Sequence, residues 1–419
     1  MVEKTMSEPQ SRRADWTVEE LERRLSAEDD FYLFDVRNRD EFEAGPIEGK
    51  RPIPTVNVPY FEMLEWGEAF DFVESVVDYV EAKLADELPR DKEILAVCAK
   101  GDTSEYVAEA LGKLGYDARH LEGGTQAWGD FYTSRPVVED EELSIYQVAR
   151  PARGCLSYLV ASNGKAAVID PLRHVEHYVR LAERLGLEIE LVLDTHGHAD
   201  HVSGGVELAR RAGVDYRLHP YDGIHPLDVL PATIDYLYLK DGWSAELGAT
   251  RVEAIHIPGH TLGNLAFRVG GYLFTGDSIF IHSIARPDLG GHGETWAPIH
   301  FASLARLLEL PDETVVLPAH FSSPTEADAE GVYRGPLAAL KRDNEGLVKV
   351  AEGEEAFVAY ILASLPKFPP QYVEIKRVNA GLSSPDEEEL SELELGKNIC
   401  ALSQAYELVE GATHDSEVA

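Results

Sequence analysis

Short apolar runs that end in polar or glycine-rich turns recur along the chain, and between them apolar positions fall three or four residues apart. The first run, Phe31-Tyr32-Leu33-Phe34, leads into Asp35-Val36-Arg37, and Asp40 to Glu43 follows as a short helix. Ile94 to Val97 is uniformly apolar, the pattern of a strand buried on both faces, and it ends at Cys98. After the cysteine, Val107, Ala110, Leu111 and Leu114 fall on one face of a helix. Alternation of this kind predicts an α/β domain with a parallel sheet. A second series starts beyond the charged, aperiodic stretch 133–145. It predicts strands at 146–148, 156–161 and 166–169, a helix over 175–185, and a strand over 189–193. Strands and helices then alternate to His320. Farther on, Pro336 to Val350 reads as largely helical with its proline in the first turn, 365–372 as an extended Pro-rich strap, and Glu387 to Leu402 as a helix.

A chain of 419 residues is too long for one ordinary core, and two or three domains are expected. The pattern divides it into a disordered leader over 1–14, a first domain over 15–132, a linker over 133–145, a second domain over 146–380 and an acidic C-terminal extension over 381–419. The formal net charge of −37 excludes nucleic acid and anionic membranes as natural partners, because both would be repelled. With 13 Lys among 38 cations, this balance resembles that of proteins from salt-loving organisms. Three scattered cysteines, Cys98, Cys155 and Cys400, make no disulfide framework. With no signal-peptide pattern and no membrane-spanning run, the expectation is a soluble, cytoplasmic protein.

Two stretches carry chemistry. Thr195 to His201 reads Thr-His-Gly-His-Ala-Asp-His, so His196, His198, Asp200 and His201 crowd one loop after the strand 189–193. Imidazole nitrogen and carboxylate oxygen are the donors that zinc and iron take in catalytic sites. His260, Asp277 and His320 each follow a later strand-like run and complete a set of seven donors. The other centre is Cys98, placed between a buried strand and a helix start, where backbone N–H groups converge and the helix dipole favours a thiolate. Position alone leaves a nucleophile and a buried structural thiol equally open.

Asp35-Val36-Arg37 with Glu41, Phe42 and Gly45, the cysteine loop, and Leu121-Glu122-Gly123-Gly124-Thr125-Gln126-Ala127-Trp128 together resemble a rhodanese (sulfurtransferase) domain. The resemblance implies that Cys98 carries sulfane sulfur as a persulfide, cradled by the loop amides of Ala99, Lys100, Gly101, Asp102, Thr103 and Ser104. The seven metal donors resemble those of the metallo-β-lactamase superfamily across roughly residues 143 to 380. The implied architecture is an α/β rhodanese-like domain plus a metallo-β-lactamase αββα sandwich, with the metal between the two sheets.

Two ligand readings follow from that resemblance. In a glyoxalase II-like thioester hydrolase, His196, His198 and His260 hold one zinc, Asp200, His201 and His320 a second, and Asp277 bridges them. In a persulfide dioxygenase, one Fe(II) per chain is held by His196, His260 and Asp277, and the other four donors orient ligands and water. The sulfurtransferase resemblance favours the dioxygenase, which oxidises a low-molecular-weight thiol persulfide with O2 to sulfite; thiosulfate would form if Cys98 passed sulfane sulfur to that sulfite. The segment Ala285 to Gly291 resembles a dioxygenase loop, implying either that Arg286 binds the carboxylate of a thiol carrier, with Asp288 orienting it, or that the two form a plain salt bridge, the alternatives standing equally open. The Pro- and Tyr-containing segment leading to Asn379 resembles the same branch, in which a homodimer is a fair expectation. Cys400 reads as structural or incidental. A sulfur-sensing binding module with a vestigial metal site is the alternative of another class.

Overall fold

The computed structural model describes residues 14–66, 71–365, 368–394, 396–397 and 400. All but the last residue of the expected leader, and the tail from residue 401 on, lie outside that range. The chain divides into two compact units, residues 1–131 and 132–419.

The first unit is built on a four-stranded parallel sheet of β1 (Tyr32–Asp35), β2 (Thr55–Asn57), β3 (Ile94–Val97) and β4 (Ala118–His120), in the order β2-β1-β3-β4. Every residue of β1 and β3 is buried, as the unbroken apolar runs require of central parallel strands. Phe34, Val36, Ile94 and Ala96 pack against Val107, Ala110 and Leu111 of the helix Asp102–Lys113. That helix therefore starts directly after the cysteine, at the carboxyl end of β3.

The second unit holds two sheets. One contains β5 (Thr133–Glu139), β6 (Ser144–Arg150), β7 (Cys155–Ser162), β8 (Lys165–Ile169), β9 (Glu188–Leu193), β10 (Tyr216–Leu218) and β11 (Leu237–Tyr238), ordered β11-β10-β9-β8-β7-β6-β5. The other contains β12 (Ser244–Leu247), β13 (Thr250–His256), β14 (Leu265–Val269), β15 (Tyr272–Gly276), β16 (Val315–Pro318) and β17 (Gly335–Pro336), paired in sequence order. Tyr158, Val160 and Leu193 of the first sheet meet Val252, Phe267, Phe274 and Leu317 of the second in one continuous core. The outer face of the first sheet is covered by the helices Glu176–Leu185 and Gly205–Ala212, through Leu181, Leu208 and neighbours. Helices Gly293–Leu307, Leu337–Asp343, Glu345–Glu352 and Glu354–Ala363 cover the second through Leu304, Leu340, Leu347 and Phe357. The layers are thus those of an αββα sandwich.

Four expectations need correction. The stretch 133–145 is not a linker: β5 pairs antiparallel with β6 around the turn at Asp140, because Val137 and Ile145 both enter the inter-sheet core. The helix expected over 336–350 breaks at Asn344, whose side chain leaves the helix to donate to the carbonyls of Phe280 and Ser283. The strap at 365–372 ends in a helix, Gln371–Asn379, that starts right after Pro369-Pro370, since proline's fixed φ suits a first helical turn. The tail helix covers only Glu387–Leu393, capped by Asp386, and the chain then turns inward.

That inward turn is set by charge. Glu394 is fully buried and accepts from Arg150 at 2.7 Å and from the backbone N–H of Val202 at 2.8 Å, with Arg173 at 3.2 Å. Burial alone would raise its pKa, but Arg150, Arg153 and Arg173 outweigh burial and hold it at about 2. Replacing Glu394 with Gln would leave these guanidinium groups without a compensating charge, and should lower the stability of the second unit by about 3–5 kcal/mol. Calorimetric unfolding checks this; an unchanged transition would show that the tail is not part of the folded core.

Candidate metal centre and sulfur-carrying cysteine

In the first unit the Cys98 sulfur sits at the centre of a tight backbone curl. It accepts from the N–H of Gly101 at 3.1 Å and of Ser104 at 3.4 Å, and its S–H faces Ser104 Oγ at 3.3 Å. Of the six loop amides expected to cradle the sulfur, those of Gly101 and Ser104 are the ones aimed at Sγ. Gly101 takes φ +97°, and a side chain there would meet Gly123 N at 2.8 Å. Gly124 packs even more closely, since a Cβ would stand 2.3 Å from the Cys98 carbonyl oxygen. Thr125 and Gln126 donate their N–H groups to the carbonyls of Cys98 and Ala99, both at 2.9 Å. The paired glycines thus brace the loop from behind, turning its carbonyls away and its N–H groups toward sulfur. Asp35 and Arg37 form a buried bidentate pair, and Arg37 also donates to the carbonyls of Glu41 and Gly45. These motif residues hold the sheet end in shape rather than touching the sulfur.

In the second unit the metal donors arrive from four strand ends: the loop after β9, the turn between β13 and β14, and the ends of β15 and β16. His196, His260 and Asp277 are fully buried, and their ligand atoms lie within 4.8 Å of one another. His260 Nε2 is 3.5 Å and His196 Nε2 3.9 Å from Asp277 Oδ2. Among the described residues none of these three atoms has a hydrogen-bond partner. The opposite ring nitrogens are occupied: His196 Nδ1 by Thr195 Oγ1 at 2.9 Å, and His260 Nδ1 by the Arg286 carbonyl at 2.8 Å. Buried polar atoms left without partners are costly, and three that converge call for a cation.

The remaining donors form two further groups. His198 Nε2 lies 3.4 Å from Asp170 and 3.9 Å from Asp194, in a donor group distinct from that of His196, His260 and Asp277, although its ring is 4.2 Å from those of His196 and His201. Asp200, His201 and His320 gather with Cys155, again within 4.8 Å, and His320 reaches Asp277 Oδ1 at 2.5 Å. Electrostatics separates the groups. Burial, helped by neighbouring imidazoles, pushes the His196 pKa well down, and burial pushes that of His260 down, so both present a bare lone pair. Burial opposes the charged form of His201 and His320 as well, yet Asp200 outweighs it, raising His201 to about 10 and His320 farther. Those two imidazoles hold protons against Asp200, Asp277 and Cys155.

Several supporting residues were not singled out from the sequence. Asp170, at φ +53°, accepts from the Thr195 N–H at 2.6 Å and its hydroxyl at 3.0 Å, and so sets the Thr195–His196 contact. Asp222 ties the two ligand loops together, accepting from Gly197 N, Thr261 Oγ1 and Gly263 N. Asn379 donates to the carbonyls of His198 and His201 and accepts from Ser203 N, which gives a task to the residue that the Pro- and Tyr-containing segment leads to. Lys376, buried on the same helix, donates to the Gly197 carbonyl. The expectation that the Arg286 side chain awaits a substrate carboxylate is corrected: its guanidinium is fully buried and bound bidentate by Asp288 at 2.6 and 2.8 Å. Arg286 serves the site through its carbonyl instead.

Comparison with known proteins agrees with this reading of the fold. Residues 150–320 match the metallo-beta-lactamase superfamily model and residues 17–130 that of the rhodanese-like domain. The chain belongs to the metallo-beta-lactamase superfamily, with a rhodanese-like domain fused ahead of it. A hydroxyacylglutathione hydrolase of Xanthomonas euvesicatoria pv. vesicatoria is 35% identical over 162 residues, covering 39% of this chain and 58% of that protein. One from Vibrio cholerae is 30% identical over 204 residues, 46% of this chain and 75% of its own length. Solved structures of similar fold include a metallo-beta-lactamase from Staphylococcus aureus (24% identity, TM-score 0.49, covering 58% of this chain and 73% of that one). Another is ETHE1 from Myxococcus xanthus (24% identity, TM-score 0.46, 59% and 99%). No helix among the described residues is long and apolar enough to cross a membrane.

Two substitutions probe the two centres separately. Gly124→Ala, forced against the Cys98 carbonyl at φ +62°, should abolish sulfur transfer and destabilise its unit by roughly 1–3 kcal/mol or more, measured by thiocyanate release and thermal unfolding. Thr195→Val removes the hydroxyl that orients His196 and should weaken metal binding about 10- to 100-fold in chelator competition, with the fold intact.

Proposed function

We propose that this chain is a non-haem iron persulfide dioxygenase joined to a rhodanese-type sulfurtransferase, acting in the cytoplasm on a low-molecular-weight thiol persulfide. One observation carries the reading: His196 Nε2, His260 Nε2 and Asp277 Oδ2 converge, buried and without partners, as a two-His, one-carboxylate face. Such a face leaves positions open, and Fe(II) bound there supplies coordination for a persulfide sulfur and dioxygen together. The overall reaction balances as R–S–SH + O2 + H2O giving R–SH, sulfite and two protons.

The chain's own residues supply the rest. Thr195 and the Arg286 carbonyl lock the tautomers of His196 and His260, so that each turns its Nε2 lone pair inward. His320, protonated against Asp277 Oδ1, leaves the other oxygen of that carboxylate as the donor. Apolar Phe280, Ala285 and Leu289 beside the ligand loops keep bulk water away from a persulfide. Cys98, in its cradle of N–H groups, holds sulfane sulfur as a persulfide. It either supplies that sulfur or joins it to sulfite as thiosulfate.

A binuclear zinc thioester hydrolase is the second reading, favoured by the hydroxyacylglutathione hydrolases among the relatives and by the gathering of Asp200, His201 and His320. Metal analysis of anaerobically purified protein, with oxygen uptake on glutathione persulfide, separates the two. One iron per chain with uptake supports oxygenation; two zincs, no uptake and thioester cleavage support hydrolysis. Cys98→Ser should abolish sulfur transfer and leave oxygen uptake with a synthetic persulfide intact, and loss of both together would defeat the two-centre assignment.

A further inference from the structure

Neither centre uses the Cys155 sulfur, although its position is set from both sheets of the second unit. Cys155 is the first residue of β7, in the first sheet, and it bridges His320 just after β16, in the second. The Leu156 N–H donates to the Ala319 carbonyl at 2.7 Å and the Phe321 N–H to the Gly154 carbonyl at 2.9 Å, so the backbone is locked on either side of both residues. The loop after β9 brings Asp200 and His201 to the same place. Arg153 fastens that loop by donating to the Asp200 carbonyl.

Cys155, Asp200, His201 and His320 each offer a ligand atom there, all within 4.8 Å of one another, and each residue is at most 1% exposed. Among the described residues, Asp200 Oδ2, His201 Nε2 and His320 Nε2 have no hydrogen-bond partner. His320 Nε2 faces Asp200 Oδ2 at 2.7 Å, yet without the alignment of a hydrogen bond. The outer ring nitrogens are occupied instead: His201 Nδ1 donates to Asp200 Oδ1 at 3.2 Å and His320 Nδ1 to Asp277 Oδ1 at 2.5 Å. Carboxylates fix in this way the imidazoles that bind a metal through Nε2. A thiolate and a carboxylate also cancel the two charges of a divalent ion, so the loaded site is neutral in a place that water does not reach.

We propose that Cys155, Asp200, His201 and His320 form a closed, four-coordinate zinc site that is structural rather than catalytic. Sulfur with imidazole and carboxylate is a zinc donor set, and four protein ligands leave no position for water or substrate. This differs from the second zinc of a thioester hydrolase, which shares Asp277 and keeps a position open for hydroxide. Here Asp277 Oδ1 is taken by His320 Nδ1. The ion staples the start of β7 to the loop after β9 and to the end of β16, across both sheets. Through His320 it also steadies Asp277 for the set of His196 and His260. The site stands apart from the iron reading, because the two donor sets have no residue in common.

The test reads cobalt(II) bound to the full chain under anaerobic conditions. A thiolate-to-cobalt charge-transfer band in the near ultraviolet is expected in the wild type, in Cys98→Ser and in Cys400→Ser, and should be lost in Cys155→Ala. A band that survives in Cys155→Ala, or that vanishes with Cys98→Ser or Cys400→Ser, overturns the proposal. So does a wild type that binds cobalt without a band, or binds none. Should Cys155→Ala not fold, the double variant Cys98→Ser/Cys400→Ser, in which Cys155 is the remaining cysteine, is loaded with zinc and read by X-ray absorption. A sulfur about 2.3 Å from zinc is then required, and zinc bound by nitrogen and oxygen alone rejects the site. Iron content and oxygen uptake of the unaltered chain are measured separately; their absence defeats the dioxygenase reading and leaves the zinc site standing.

Discussion

Three buried atoms without hydrogen-bond partners, His196 Nε2, His260 Nε2 and Asp277 Oδ2, are the constraint around which the second unit is organised. A folded chain tolerates such atoms only where something else satisfies them, and here they point at one another from three strand ends. Satisfying them fixes much else. The Thr195 hydroxyl and the Arg286 carbonyl must occupy the opposite ring nitrogens, or the rings could turn. Asp170 must hold Thr195, which accounts for a non-glycine residue in left-handed backbone at the end of β8.

The same economy of backbone governs the first unit. A sulfur atom cannot be gripped by many side chains at once, and the Cys98 loop grips it with peptide N–H groups. That geometry exists only because Gly123 and Gly124 leave room behind it and the next two N–H groups take up the loop's carbonyls. Leu-Glu-Gly-Gly is therefore the outer half of the cysteine site, although it lies more than twenty residues away along the chain.

Strands were the most legible part of the sequence. Residues 94–97 and 191–193 are apolar because both faces are covered, and that shows without any knowledge of partners. The seven candidate donors stood out because imidazoles seldom cluster after strands by accident, but sequence did not show that they fall into separate groups rather than one. What stayed hidden depends on long-range pairing. The charges of 133–145 read as a linker, since nothing local reveals that Val137 and Ile145 face a core built by the opposite sheet. Arg286 and Asp288 were both visible as a possible pair, but sequence does not show that the guanidinium is buried and taken up bidentate by Asp288 rather than left facing a substrate. Asp222 and Glu394 were silent for the same reason, as each is one carboxylate among 75 acidic residues until its partners are placed.

Asp222 has a consequence for how an ion would be taken up. By joining Gly197 to Thr261 and Gly263, it makes the loops of His196 and His260 a single rigid jaw, with Asp277, the third member of that set, carried on another strand end. Little ordering entropy is then lost on loading, and the fixed bite of that jaw, rather than adaptation around whichever cation arrives, sets which ionic radius is accepted.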